Sequence, residues 1–109
     1  MLGIEPARNI AEVAIRERNV PTISEFFGKD IAETLAEEGR SADVIHANNV
    51  LAHVAGLNGV VAGFAALLKQ DGRVVVEAPY LKDLIDNVEF DTIYHEHLCY
   101  FSLTALSHV

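Results

Sequence analysis

The sequence predicts an α/β fold built on a mostly parallel sheet. Short apolar or β-branched runs alternate with amphipathic stretches of roughly 10–15 residues, the pattern of βαβ units. Val74-Val75-Val76 lies in a continuous apolar run, Arg73 to Ala78, of the kind buried on both faces. The 109 residues are 50% hydrophobic and 22% charged, a single globular domain's length and composition.

Taken in order, Leu2-Gly3-Ile4 is a short strand that stops at Glu5-Pro6. Pro6 suits the first turn of a helix, and Ile10, Val13 and Ala14 at i, i+3, i+4 spacing predict one over about Ala7 to Arg18. Thr22 to Phe27, β-branched and aromatic between Pro21 and Gly28, reads as a second strand. Asp30 is the expected N-cap of a helix carrying Ile31, Leu35 and Ala36, with Gly39 just past its end. Ala42 to Ala47 is the third strand. Asn58 to Lys69 is the clearest helix, with Val60, Val61, Phe64, Leu67 and Leu68 on one stripe. Arg73 to Ala78 is the fourth strand, stopped by Pro79. Leu81, Leu84, Ile85 and Val88 predict a further short helix, and Ser102 caps another at Leu103. No repeat or low-complexity tract interrupts this series.

Charge and cysteine usage exclude several functions. The net charge of −8 repels phosphate backbones, so charge-driven nucleic-acid binding is not expected. A single Cys forms no internal disulfide and fits a cytoplasmic protein. No basic segment followed by an apolar core opens the chain as a signal peptide would, and no uncharged apolar run is long enough for a membrane span.

Right-handed crossovers place the carboxyl ends of parallel strands on one edge, where ligands of open α/β sheets collect. The polar residues of interest sit at those ends. Glu5 follows the first strand, where nucleotide-binding α/β folds use an acid to accept ribose hydroxyls; the same carboxylate also suits a helix N-terminus. Asn48, Asn49 and His53 follow the third strand. The two amides fit a strand-to-helix turn, whereas His53 stands among Val50, Leu51 and Val54. Tyr94-His95-Glu96-His97-Leu98-Cys99-Tyr100 is the densest cluster of chemistry-bearing groups. It offers what a general base needs: His97 as the base, Glu96 to tune it and Tyr94 to orient it. His95 and His97 also admit a metal reading, but neither a Cys pair nor a His-Glu-x-x-His helix supports it, and no metal is expected.

Glu5 after its strand, ADVIHANNVLAHV, the helix end LLKQDG, the strand RVVVEAPY and the segment FDTIYHEHLCYFS together resemble S-adenosylmethionine-dependent sugar C-methyltransferases. The similarity covers essentially the whole chain, and YHEHLCYFS is its most specific part. These enzymes methylate a ring carbon of nucleotide-linked keto-deoxysugars. The resemblance implies S-adenosylmethionine as cofactor, with Glu5 on its ribose and Asn48 and Asn49 along its methionine and sulfonium end. It implies His53, Tyr94, Glu96 and His97 as the catalytic polar groups. His97 removes the proton next to the ketone, and Tyr94 or His53 donates to the developing oxyanion.

On this resemblance the chain is a partial Rossmann-like methyltransferase domain whose sheet lacks its first, central strand. Residues 1–80 are the second half of the cofactor-binding unit, and 81–109 the catalytic loop and the start of the following helix. Gly56 stands where the family usually has Asp, and Gln70 where Pro is common. The family's glycine-rich turn, cysteine-bearing zinc lobe and C-terminal domain are not in this sequence, so the chain alone is expected to be inactive. Without the central strand, the strands ending at Glu5 and Asn48 must pair directly, accept a strand from another molecule or leave edges open; open edges predict a homo-oligomer. The sugar nucleotide is the expected small-molecule partner. A nicotinamide-dependent oxidoreductase, a non-enzymatic interaction module, a degenerate gene fragment and a small metal protein stand as alternatives.

Overall fold

Two half-sheets, not one sheet, organise the chain. The computed structural model describes all residues, Met1–Val109. Strand β1 (Gly3–Ile4) pairs in parallel with β2 (Thr22–Ile23) through helix α1 (Arg8–Arg18). After α2 (Lys29–Glu37), strand β3 (Ala42–Asn48) pairs in parallel with β4 (Leu68–Glu77) through α3 (Leu57–Leu67). Short helices α4 (Leu81–Asp86) and α5 (Leu103–Leu106) follow. β1 and β3 share no hydrogen-bonded ladder, so the two parallel pairs are separate sheets.

Local signals set most boundaries. Asn19 takes a left-handed conformation (φ 55°) to end α1, and Arg16 and Arg18 lie in that last turn, where the helix dipole favours cations. Gly39 (φ 74°) closes α2 as expected. Ser102 caps α5, its Oγ accepting from the Ala105 amide at 3.1 Å.

Several expectations need correction. Gly28, not Asp30, occupies the N-cap of α2; Asp30 sits in the first turn, where the dipole favours it. The second strand ends at Ile23, and Phe26 is 81% exposed, because β2 has only the two-residue β1 to pair with. α3 stops at Leu67, since Leu68 pairs with Ala42 and begins β4 five residues before Arg73. The ladder then steps irregularly to Val44 opposite Arg73. A Cβ on Gly72 would lie 3.0 Å from the Ala42 carbonyl oxygen, so this step needs glycine. Lys69 clasps Asp43 at 2.8 and 2.9 Å across it and holds that carboxyl below its usual range. The ion pair therefore helps above the ordinary carboxylate pKa and fades as pH falls through the lowered value; full exposure keeps the contribution small. Along α1, Ala11 is buried while Ile10 and Ile15 are about half exposed, because the helix packs only on β1 and β2.

The core has two parts. Ala47, Leu51, Ala52, Val60, Phe64 and Phe101 form one cluster, and Ala32, Leu35 and Leu67 the other. Phe27 and Ile45 pack against both. α2 on α3 thus joins the half-sheets that no strand joins. The close approach depends on Gly63, whose Cβ would lie 2.8 Å from the Gly28 carbonyl oxygen. Gly63→Ala is expected to cost about 1–3 kcal/mol by overpacking, read as a lowered denaturant midpoint.

The chain is open for its size. Its accessible surface is 7748 Å², whereas a compact protein of this mass exposes roughly 5,900 Å². Its radius of gyration is 15.2 Å, against about 13 Å for a compact domain of this length.

Candidate functional site

The segment after β4 returns to the carboxyl end of β3. Tyr80 bridges to Phe101, the Leu81 amide donates to the Phe101 carbonyl at 2.8 Å, and Phe101 is buried beside Ala47. The turn Leu51–His53 receives the other end of the loop, where the Leu98 and Cys99 amides both donate to the Ala52 carbonyl, at 2.8 and 3.2 Å. These main-chain ties, together with an apolar anchor, bring His53 against the YHEH segment from 43 residues away.

The imidazoles of His53 and His97 lie 4.9 Å apart, ring centre to ring centre. His97 Nδ1 is 2.8 Å from the Thr92 carbonyl oxygen. A carbonyl only accepts, so Nδ1 carries a proton, and in the neutral ring the lone pair is on Nε2. The Tyr94 hydroxyl, 3.2 Å away, donates to Nε2 and stacks its ring at 4.3 Å. Tyr100 presents an edge to His97 at 5.9 Å and donates to the same Thr92 carbonyl at 3.1 Å. His53 is fixed likewise: its Nδ1 donates to the Glu96 carbonyl at 2.9 Å, leaving Nε2 unengaged. The result is two rings each fixed through Nδ1–H by a main-chain carbonyl, with Nε2 of His53 open and Nε2 of His97 facing the Tyr94 hydroxyl. His97 is half-buried and His53 exposed.

Of the expected catalytic group, His53, Tyr94 and His97 meet directly, whereas Glu96 joins them through its main chain. The Glu96 carboxylate bonds to neither ring, and orientation comes from carbonyl oxygens instead. His95 is exposed and stands outside the cluster, and no group of three or more metal-binding side chains forms. Cys99 is half-buried against the core, with no base at hydrogen-bond distance.

The strand-end residues lie as follows. Glu5 ends β1, and one of its carboxylate oxygens accepts from the Ala7 amide at 2.8 Å, opening α1. The other oxygen has no hydrogen-bond partner in the chain. Asn48 ends β3 with its side chain exposed. Asn49 is left-handed (φ 51°), its amide donates to the Glu77 carbonyl at 2.8 Å and its Nδ2 to the Glu77 carboxylate at 3.1 Å. Asn49 therefore ties the ends of β3 and β4. Glu77, Thr92 and Tyr100 are the members not singled out from sequence. Glu77 had a signal, an acid closing an otherwise apolar strand; the Thr92 contribution is main-chain and has none.

Comparison with known proteins gives this geometry its context. A model of the methyltransferase domain matches residues 1–109. C-methyltransferase NovU of Streptomyces niveus is 42% identical over 106 residues, 97% of this chain and 25% of that protein. The ubiquinone biosynthesis O-methyltransferase of Bartonella quintana (strain Toulouse) is 33% identical over 76 residues, 70% of this chain and 31% of that protein. The chain thus spans between a quarter and a third of the curated relatives it matches. No helix is long and apolar enough to cross a membrane. A parallel α/β chain, matched over its whole length, belongs to the methyltransferase-domain family.

Proposed function

We propose that this chain is the catalytic section of an S-adenosylmethionine-dependent C-methyltransferase acting on a nucleotide-linked keto-deoxysugar. The observation that carries the reading is His97, held through Nδ1–H by the Thr92 carbonyl, which in the neutral ring leaves Nε2 to act as the base. A ring C–H loses its proton readily only beside a carbonyl, so the base must work next to a donor for the oxyanion. Tyr94 supplies that donor. Its hydroxyl caps Nε2 in the free protein, and an arriving substrate displaces it, freeing the base and turning the hydroxyl to the ketone oxygen. His97 Nε2 takes the proton from carbon, and the electron pair moves toward the oxygen held by Tyr94. His53, fixed by the Glu96 carbonyl, offers a second polar group at the same oxygen or at a neighbouring hydroxyl.

The residues present fit the cofactor. The unengaged Glu5 oxygen suits vicinal ribose hydroxyls, and Asn48 with the Asn49 backbone closes the edge where its methionine part would lie. When bound, S-adenosylmethionine supplies an electrophilic methyl group. The identity to a C-methyltransferase supports carbon as the acceptor. We further propose that the section needs the remaining chain of its relatives to turn over, and that it works in the cytoplasm.

The test is solvent deuterium exchange at the carbon next to the ketone of a nucleotide-linked 4-keto-6-deoxysugar, followed by NMR without cofactor. The chain is used both alone and fused behind the upstream region of a relative. Exchange in the fusion that Tyr94→Phe slows at least about tenfold supports the reading. Methylation of a hydroxyl without exchange at carbon overturns it. Tyr94 is 45% exposed, so Tyr94→Phe should leave the unfolding midpoint unchanged.

A further inference from the structure

Three donors converge on the Thr92 carbonyl oxygen: His97 Nδ1–H at 2.8 Å, the Tyr100 hydroxyl at 3.1 Å and the Tyr94 amide at 3.1 Å. That oxygen sets where His97 points, yet little packing holds its own residue. Thr92 closes a single turn, Phe90–Thr92, that buries no side chain, and Phe90 and Ile93 are 74% and 71% exposed. α4 before it buries none either. The Thr92 hydroxyl reaches only the Glu89 carbonyl, three residues back in the same segment. The carbonyl therefore takes its position from the donors around it.

Those donors are not equivalent. The Tyr94 amide belongs to the same turn and moves with it, and His97 is the ring to be placed. Tyr100 comes from an anchored stretch. On one side the Cys99 amide donates to the Ala52 carbonyl at 3.2 Å. On the other, Phe101 is 5% exposed in the core and its carbonyl accepts from the Leu81 amide at 2.8 Å.

We propose that Tyr100 is a positioning residue for His97. Its hydroxyl ties the Thr92 carbonyl to the core-anchored end of the loop, and the fixed carbonyl holds the imidazole through Nδ1–H. The same oxygen accepts from the Tyr94 amide, so one pinned carbonyl places the base and the oxyanion donor together. The role in catalysis rests on His97 being the base; the hold on the ring does not.

Tyr100→Phe tests it, because the ring edge that faces His97 at 5.9 Å is kept and only the hydroxyl is lost. The first readout is the imidazole ¹⁵N spectrum of the 109-residue chain above the ordinary histidine pKa. The ratio of Nδ1–H to Nε2–H tautomer at His97 is expected to fall about two- to tenfold, the worth of one hydrogen bond. Tyr80→Phe, which removes a hydroxyl without a hydrogen bond in the chain, should leave the ratio unchanged. In the active fusion, Tyr100→Phe should lower kcat about tenfold with KM unchanged. An unmoved ratio, an equal change with Tyr80→Phe, or an unmoved kcat would overturn the proposal. So would an unfolded Tyr100→Phe chain, since the hydroxyl would then hold the whole fold and not one carbonyl. His97→Gln separates the two readings. A rate lost there, with the ratio unmoved by Tyr100→Phe, strikes Tyr100 alone; a rate kept there strikes the base itself.

Discussion

Replacing His97 with glutamine in an active fusion is expected to lower methyl transfer by about 10²–10⁴-fold, the usual contribution of a positioned general base. Glutamine keeps a donor toward the Thr92 carbonyl and so preserves the loop, but has no basic nitrogen. The loss should fall mainly on kcat, because the group acts on the reacting proton more than on the bound substrate. Steady-state kinetics with saturating cofactor checks it. A variant retaining a third or more of the rate would remove His97 from the chemistry. His95→Gln is the matched control, since its exposed ring makes no hydrogen bond in the cluster, and its rate should stay near wild type.

Phe64→Ala is expected to unfold much of the population. The ring is 7% exposed and stacks on Phe27 at 5.3 Å, and Phe27 is one of two residues packed against both core clusters. Truncating a buried phenylalanine costs about 3–5 kcal/mol. A whole domain of this length holds about 5–15 kcal/mol, and this one buries only 11 of its 109 residues, none of them a large side chain sealed completely. Urea unfolding followed by circular dichroism measures the effect. Phe26→Ala, at an 81% exposed ring outside both core clusters, should shift the midpoint little. Equal effects from the two variants would contradict the packing described for α2 and α3.

How legible each feature was depends on whether side chains or main chain made it. α3 could be read because Val60, Phe64 and Leu67 recur at helical spacing and all three are buried. The third strand and Ser102 at the start of α5 were legible for similar reasons, apolar run and side-chain cap. α1 misled. Its Ile10 and Val13 have helical spacing, yet both are exposed, because periodicity shows an apolar face and not whether anything covers it. The start of β4 was hidden by Lys69-Gln70-Asp71, polar residues that continue a strand only because Leu68 pairs with Ala42. In the site, the density of His and Tyr marked the YHEH segment, and the turn brings Tyr94 onto His97 at i, i+3. The device that sets both tautomers was not legible. It uses the carbonyls of Thr92 and Glu96, and any residue carries a carbonyl. The Glu96 carboxylate, the more conspicuous group in sequence, does not do that work.

The central claim is that the neutral His97 ring carries its proton on Nδ1, toward the Thr92 carbonyl, with its lone pair on Nε2. The imidazole nitrogen spectrum of the 109-residue chain, labelled with ¹⁵N-histidine and recorded above the ordinary histidine pKa, reads this without substrate or cofactor. For the resonance removed by His97→Gln, the predicted pattern is a pyrrole-type Nδ1 and a pyridine-type Nε2. The reverse pattern, or rapid averaging between the two tautomers, would contradict the account.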